Sequence, residues 1–133
     1  MIKFKTDREE VEFETLKKKN PLLIKIVEFI EKFVTATFKK DIVITSIFRS
    51  KKEQKEIYGF PKPSTHMEWR AVDIRSNIYS DVQCKQLKDA VNAAFTYDKK
   101  RPEMKVALWH QVNDNGYHFH LQTHPNTEAL KNG

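Results

Sequence analysis

The sequence is poor in cysteine and glycine, with a single cysteine, Cys84, and 3 glycines among 133 residues. One cysteine cannot form an internal disulfide, and it cannot build the cysteine cluster of a structural zinc site. No stretch approaches the roughly 18 apolar residues of a membrane-spanning helix, and the first residues lack the apolar core of a secretory signal. We therefore expect a protein that is made in the cytoplasm without a signal peptide or a transmembrane segment.

Negative charge is outweighed, because 24 Lys and Arg residues against 18 Asp and Glu residues give a net charge of +6. This balance favours an acidic partner, such as nucleic acid, an anionic membrane, or a cell wall rich in phosphate and carboxylate groups. Charge alone does not choose among these. Nucleic acid is the least favoured, because the sequence has no recognised nucleic-acid-binding motif and no basic strand studded with aromatic residues.

The length of 133 residues and the hydrophobic content of 39% suffice for one modest core. They predict a single domain over residues 1–133, with a motif-bearing core at about residues 42–122. We expect an α+β fold, in which a small antiparallel sheet packs against helices on one side. We also expect a monomer.

Capping residues predict two helices in the first third of the chain. Asp7 is a candidate N-cap for a helix over about residues 8–19, with Glu10 at the capping-box position. Asn20 followed by Pro21 starts a second helix, since Asn is a good N-cap and Pro is best tolerated in the first turn. The apolar residues that follow recur at spacings of three and four, as in a helix that faces a core.

Two further helices and four strands are predicted downstream. Ser50 and Ser80 each open a helix with a capping box, and the first of these helices ends near Gly59. The last helix has its expected apolar positions at Val82, Leu87, Val91 and Phe95. The strands are predicted from apolar or alternating runs at residues 41–48, 70–75, 104–109 and 117–122, the last two joined through residues 113–116.

Histidine is unevenly distributed: four of the five residues lie between positions 110 and 124, and His66 lies in the loop before a strand that carries Asp73. Side chains two apart on a strand point to the same face, so His118 and His120 project together. Tyr117, Phe119 and Leu121 project the other way, into apolar packing. Because a turn fits between His66 and Asp73, their side chains can converge. Two imidazoles and one carboxylate are a common ligand set for catalytic zinc, with the fourth position left for water.

Each of these residues also has an interpretation without a metal. An HxH pair on a strand is more often two half-exposed polar side chains than a metal site. Asp73 is more informative, since a carboxylate in so apolar a strand is costly to bury unless it is paired or bound to a metal. Arg49, directly after an apolar strand, is either a surface charge or a clamp for an oxyanion or carboxylate. His110 and His124 are interpreted as surface or supporting groups.

A resemblance to a known family rests on three motifs that occur in the family's order. Residues 64–74, STHMEWRAVDI, resemble the SxHxxGxAxD motif of the zinc D-alanyl-D-alanine carboxypeptidase superfamily. That superfamily includes phage L-alanyl-D-glutamate endolysins, murein endopeptidases and the zinc-binding hedgehog domains. Residues 44–50, ITSIFRS, resemble its strand that ends in SGxRS, and residues 117–121, YHFHL, resemble its terminal HxH strand. Together the motifs cover the chain from about residue 43 to residue 122.

The resemblance implies a role for each matching residue. His66, Asp73 and His120 would be the ligands of one zinc ion per chain. Arg49 would hold the scissile carbonyl or a peptide carboxylate. His118 would support the attacking water or the tetrahedral intermediate.

The sequence departs from the family pattern at two positions. Trp69 replaces the usual glycine of the motif, so we expect the turn after His66 to be built differently, with an aromatic ring that could wall the cleft. Tyr117 stands where the carboxypeptidase and endolysin branches carry a general-base Glu, and strand alternation places it on the face away from the ligands. Asp114 matches a position where hedgehog domains hold a Glu near their zinc. Asp114 or His118 is therefore the expected general base.

Three functions are compatible with these motifs. The first is a zinc peptidase that hydrolyses amide bonds in peptidoglycan stem peptides, as a phage-type endolysin that reaches the cell wall through membrane lesions. The second is a stand-alone D,D-dipeptidase or carboxypeptidase. The third is a non-catalytic, hedgehog-like zinc-binding module, and turnover of purified cell wall would separate it from the two enzymes.

Overall fold

A computed structural model describes residues 1–60, 62–111 and 116–130 of the chain. The helices are α1 (Asp7–Lys19), α2 (Pro21–Phe33), α3 (Lys51–Tyr58) and α4 (Asp81–Ala94). The strands are β1 (Ile2–Phe4), β2 (Ile42–Ser46), β3 (Ala71–Arg75), β4 (Phe95–Thr96), β5 (Ala107–Gln111), β6 (Tyr117–Gln122) and β7 (Glu128–Ala129). A π-helical turn (Val34–Phe38) follows α2, and a 3₁₀ turn (Thr65–Glu68) precedes β3.

The main sheet has five strands in the order β1-β2-β3-β6-β5, and β4 pairs with β7 in a separate two-stranded ribbon. The pairs β2–β3, β3–β6 and β6–β5 are antiparallel, whereas β1 joins β2 in parallel. The predicted α+β class is confirmed. Strand β1 was not predicted, because three residues are too few to show an alternating pattern and their pairing partner is distant in sequence.

One face of the sheet and the apolar sides of the helices form the core. Ile44 pairs with Ile74, and Ile74 with Phe119, so these side chains share a face and are buried in one cluster with residues of α1, α2 and α4. Tyr117 was expected to pack there too, but it is 58% exposed and contacts the ring of Trp109 instead. The opposite face is left for polar side chains.

Helices α1 and α2 begin at capping residues. The first capping box is formed by Thr6 and Glu9 rather than by Asp7 and Glu10, because Thr6 is the last residue in extended conformation and the helix starts one residue earlier than predicted. The second start is confirmed, since the Asn20 side chain accepts a hydrogen bond from the backbone of Leu23 at 3.2 Å. Among the described helices, none combines the length and the apolarity that a bilayer crossing requires.

The capping boxes of α3 and α4 are also confirmed, at Ser50 and at Ser80. Val82, however, is 68% exposed, although it was predicted to face the core. The buried stripe of α4 contains Cys84, Leu87 and Val91, whose spacings of three and four keep them on one side of the helix. Phe95 is buried but lies in β4, beyond the helix end. Strand β5 likewise starts three residues later than predicted, at Ala107.

The turn between the 3₁₀ segment and β3 contains Trp69 in a left-handed conformation, with φ of +58°. That conformation favours glycine, so the backbone is one that the usual glycine of the motif would also fit. Trp69 stacks on Phe48 with ring centroids 4.7 Å apart and planes at 8°. Its carbonyl accepts a hydrogen bond from the Asn20 side chain at 3.1 Å. Packing therefore holds a bulky residue in a strained backbone.

Replacing Trp69 should separate the backbone strain from the ring contact. Trp69→Ala and Trp69→Gly both lose the stack on Phe48, but only Ala keeps a Cβ in the left-handed region. We expect Trp69→Gly to be the more stable variant by about 1 kcal/mol in urea unfolding. At the exposed helical position Val82 the order should reverse, with Ala more stable than Gly. The same order at both positions would contradict a strained Trp69.

Candidate metal centre

Three potential metal ligands converge on the polar face of the sheet. Asp73 in β3 and His120 in β6 are register partners on adjacent antiparallel strands, so their side chains lie side by side. His66 comes from the turn that precedes β3. Asp73 Oδ1 lies 3.1 Å from His66 Nε2 and 3.0 Å from His120 Nδ1. The three ligand atoms lie within 4.8 Å of one another, which is close enough for one metal ion to contact all of them.

The two ring nitrogens of His66 have different neighbours, which indicate the role of each. Nδ1 lies 2.9 Å from the carbonyl oxygen of Ile47, and because a carbonyl only accepts, Nδ1 donates the proton. Nε2 is therefore the nitrogen that faces Asp73, and in a neutral ring it would carry the lone pair that a metal takes. His66 is 1% exposed, and within the described residues its Nε2 has no hydrogen-bond partner, although Asp73 Oδ1 is only 3.1 Å away. A neutral His66 and an ionised Asp73 would face each other with lone pairs only, so this buried contact requires either a proton or a metal cation between the two groups.

His120 likewise turns one ring nitrogen towards Asp73, and a hydrogen bond from the other nitrogen to Gln122 sets this orientation. The Gln122 amide nitrogen donates to the carbonyl of Lys105 at 2.9 Å, which turns the amide oxygen towards His120 Nε2 at 3.2 Å. Nε2 therefore donates to that oxygen, which leaves Nδ1 as the nitrogen that faces Asp73, 3.0 Å from its Oδ1. The Thr65 hydroxyl is a second neighbour of Nε2, at 3.3 Å. Supporting hydrogen bonds of this kind orient metal-binding histidines and fix their tautomers.

Asp73 is 5% exposed, and positive or proton-donating groups surround its carboxylate. Burial alone would raise its pKa, but the imidazoles of His66 and His120 outweigh burial and hold the pKa well below the usual range. The second oxygen, Oδ2, lies 3.4 Å from Arg49 Nη2 and 3.6 Å from His118 Nε2. The carboxylate thus remains ionised and links His66 and His120 to two further polar side chains.

Arg49 and His118, two side chains that the sequence predicted to act at the site, both lie beside Asp73. Arg49 also contacts the buried Gln54 through its Nη1, at 3.4 Å, which restricts the guanidinium. Burial lowers the pKa of His118. Asp114, the other predicted general base, lies outside the described residues.

His110 was interpreted from sequence as peripheral, but it belongs to this cluster. It is the register partner of His118, and its ring centroid lies 5.6 Å from that of His118 and 5.9 Å from that of His120. His110 joins this cluster because β5 pairs with β6. The predicted strand ended at residue 109 and therefore did not include His110. His124 is different: its Nδ1 accepts a hydrogen bond from the backbone of Asn126, in the turn after β6.

A groove of about 550 Å³ opens beside the cluster, lined there by Arg49, Asp73 and His118. Its volume is within the range of sites that hold small ligands. Phe48, the stacking partner of Trp69, also lines the groove. The predicted aromatic wall is therefore formed by Phe48, with Trp69 packed against it.

The segment that carries Arg49 is held on both sides by Arg8 of helix α1. Arg8 donates to Glu53 at 2.6 and 3.0 Å and to the carbonyl of Phe48 at 2.8 Å. Glu53 in turn accepts from the backbone of Ser50 at 3.0 Å. Residues 48 and 50 are thus tied to one ion pair. The Arg8 guanidinium lowers the pKa of Glu53 to about 2.

Comparison with known proteins gives one family. The family model described as Peptidase M15 matches residues 4–104 of the chain. The matched segment contains Arg49, His66 and Asp73 but ends before β5 and β6, so the positions of His118 and His120 rest on strand register. No curated protein and no solved structure matches the chain.

The pairing of Arg8 with Glu53 should make stability depend on pH. Because the pKa of Glu53 is lowered on folding, its contribution is fully present above its ordinary value near 4.5 and is lost as the pH falls towards 2. Glu53→Gln should therefore lower the free energy of unfolding by about 1 kcal/mol at pH 7, and the difference from wild type should shrink between pH 5 and pH 2. Urea unfolding at several pH values measures this. Glu56→Gln on the same helix is the matched control, and an equal pH trend in both variants would refute the assignment.

Proposed function

The chain belongs to the peptidase M15 family of zinc-dependent metallopeptidases, and we propose that it hydrolyses amide bonds in peptidoglycan stem peptides with a zinc ion held by His66, Asp73 and His120. The observation that carries this proposal is the convergence of His66 Nε2 and His120 Nδ1 on one buried carboxylate, while the other ring nitrogen of each histidine is held by a hydrogen bond. A structural ion-pair cluster would need a proton in that place. The family makes a metal the better occupant.

The donor set suits zinc. Two imidazole nitrogens and one carboxylate oxygen match the three protein ligands of many catalytic zinc sites, whereas magnesium and calcium prefer oxygen ligands alone. His66 Nε2, the Asp73 carboxylate and His120 Nδ1 would hold the ion. Zinc bound there would supply a Lewis acid for a substrate carbonyl and would lower the pKa of a water molecule.

Arg49 and His118 would act on the substrate from the groove. The Arg49 guanidinium, beside Asp73 Oδ2, is placed to donate to the oxygen of the scissile carbonyl or to a peptide carboxylate. His118 Nε2, on the same side of Asp73, would take a proton from the attacking water and pass it to the leaving amine. Asp114 is the alternative proton carrier.

The groove supports a peptide substrate, because elements α1, β2, α3, β3 and β6 all contribute to its walls. We favour an endopeptidase that acts as a phage-type endolysin, with a stand-alone D,D-dipeptidase or carboxypeptidase as the alternative. Mass spectrometry of the muropeptides released from several types of purified wall would identify the bond that is cleaved. A non-catalytic, hedgehog-like zinc module would release none.

The metal content of the purified protein tests the proposed ligands. We expect close to one zinc per chain by elemental analysis, and His120→Ala should lose the metal and the activity together. His124→Ala is the matched control, because His124 is tied to the turn after β6, and it should lose neither. Absence of any transition metal after reconstitution with zinc would count decisively against the site.

Turnover by variants that keep the metal tests the two polar side chains in the groove. Arg49→Lys should retain zinc yet be slowed at least tenfold, since an ammonium cannot reproduce the paired donors of a guanidinium. His118→Ala should retain zinc and lose about two orders of magnitude in rate. Tyr117→Phe should be nearly silent, because the Tyr117 ring borders the groove but packs against Trp109 rather than facing Asp73.

The comparison with Asp114→Asn decides between the two proton carriers. If His118→Ala is fully active and Asp114→Asn is inactive, the aspartate carries the proton. If Arg49→Lys and Arg49→Ala both cleave at the wild-type rate, Arg49 does not act on the substrate and is only a structural charge.

A further inference from the structure

The acidic side chains that line the groove already have partners. Glu9 accepts hydrogen bonds from the backbone and the hydroxyl of Thr6, at 3.0 and 2.9 Å. Glu12 and Glu53 both bind Arg8. The fourth carboxylate, Asp73, lies among the ligand residues of the candidate metal centre. None of these groups is thus available to neutralise a further cation in the groove.

The basic side chains of the groove are of two kinds. Arg8 and Arg49 contact carboxylates, at 2.6 and 3.4 Å respectively. Lys5 and Arg75 also line the groove, but within residues 1–60, 62–111 and 116–130 neither side chain has an ion pair or a hydrogen bond. Arg75 is half-buried, so its charge is less screened than that of a fully exposed arginine.

Strand geometry places Arg75 next to the reacting end of the groove. It follows Asp73 by two residues in β3, so both side chains lie on the same face, with their Cα atoms roughly 7 Å apart. Arg75 is also the register partner of His118. An extended peptide advances about 3.3 Å per residue, so Arg75 lies within one or two residues of a bond that is cleaved beside Asp73.

We propose that Arg75, supported by Lys5, binds a free carboxylate of the substrate one or two residues from the scissile amide, and so selects acidic peptides. A guanidinium presents two parallel donors to a carboxylate, and a neutral carboxamide can neither match that pairing nor carry the charge. This subsite rests on the proposed peptidase function. It is separate from Arg49, which contacts Asp73 itself.

A pair of cell-wall peptides that differ at one position, with a carboxylate free in one and amidated in the other, tests the subsite. For the zinc-loaded wild-type protein we expect kcat/KM to be at least roughly tenfold higher for the acid, with the ratio falling as salt is raised. Arg75→Gln should bring the ratio close to one, chiefly by lowering kcat/KM for the acid, while leaving the zinc content unchanged. Lys85→Gln, an exposed cation on α4, is the matched control and should keep the full preference.

Binding of the same two peptides with the scissile amide N-methylated separates the subsite from the reaction. A preference for the acid that is present in wild type and lost in Arg75→Gln supports the subsite, even if no peptide is cleaved and the peptidase proposal fails. Equal binding of acid and amide by wild type would overturn the subsite, and so would a preference that survives in Arg75→Gln. Cleavage of both peptides at equal rates by wild type would leave the peptidase proposal standing without the subsite.

Discussion

The burial of one carboxylate, that of Asp73, constrains the polar side of this protein. An ionised carboxylate inside a protein is costly unless cations or donors surround it, and here every neighbour serves that purpose. His66 and His120 face one oxygen, and Arg49 and His118 face the other. The turn before β3, the pairing of β3 with β6 and the end of β2 must all be in place for those contacts to form. The cluster around Asp73 therefore forms only when three parts of the chain that are distant in sequence have folded together.

Because side chains alternate along a strand, the sheet places apolar residues on its core face and polar residues on its groove face. In β3, Val72 and Ile74 point into the core, whereas Asp73 and Arg75 point to the groove. A shift of one residue in the pairing of β3 with β6 would place the carboxylate in the apolar core and expose isoleucine and phenylalanine to water. The hydrophobic core thus fixes the register that brings Asp73 beside His120. Helix α1 adds a second constraint, because Arg8 ties it to the residues on either side of Arg49.

Local signals in the sequence predicted more than non-local ones. The helix starts at Asn20, Ser50 and Ser80 were predicted correctly, since a cap is decided within four residues. Strand β1 was missed because its pairing partner lies some forty residues away. The motifs predicted that His66, Asp73 and His120 converge, and the structure brings them together. The contributions of His110 and Gln122 were not foreseen, because they depend on the register of β5 and on the orientation of an amide.

Position 69 shows how two different solutions can satisfy the same backbone. Glycine adopts a left-handed conformation without strain because it has no side chain. Trp69 is held in that conformation by the stack of its ring on Phe48 and by the hydrogen bond from Asn20 to its carbonyl. The second solution couples three positions that are far apart in the sequence. In evolutionary terms the tryptophan and its aromatic partner should be inherited together, so that among relatives a glycine at position 69 relaxes the requirement for an aromatic residue at position 48.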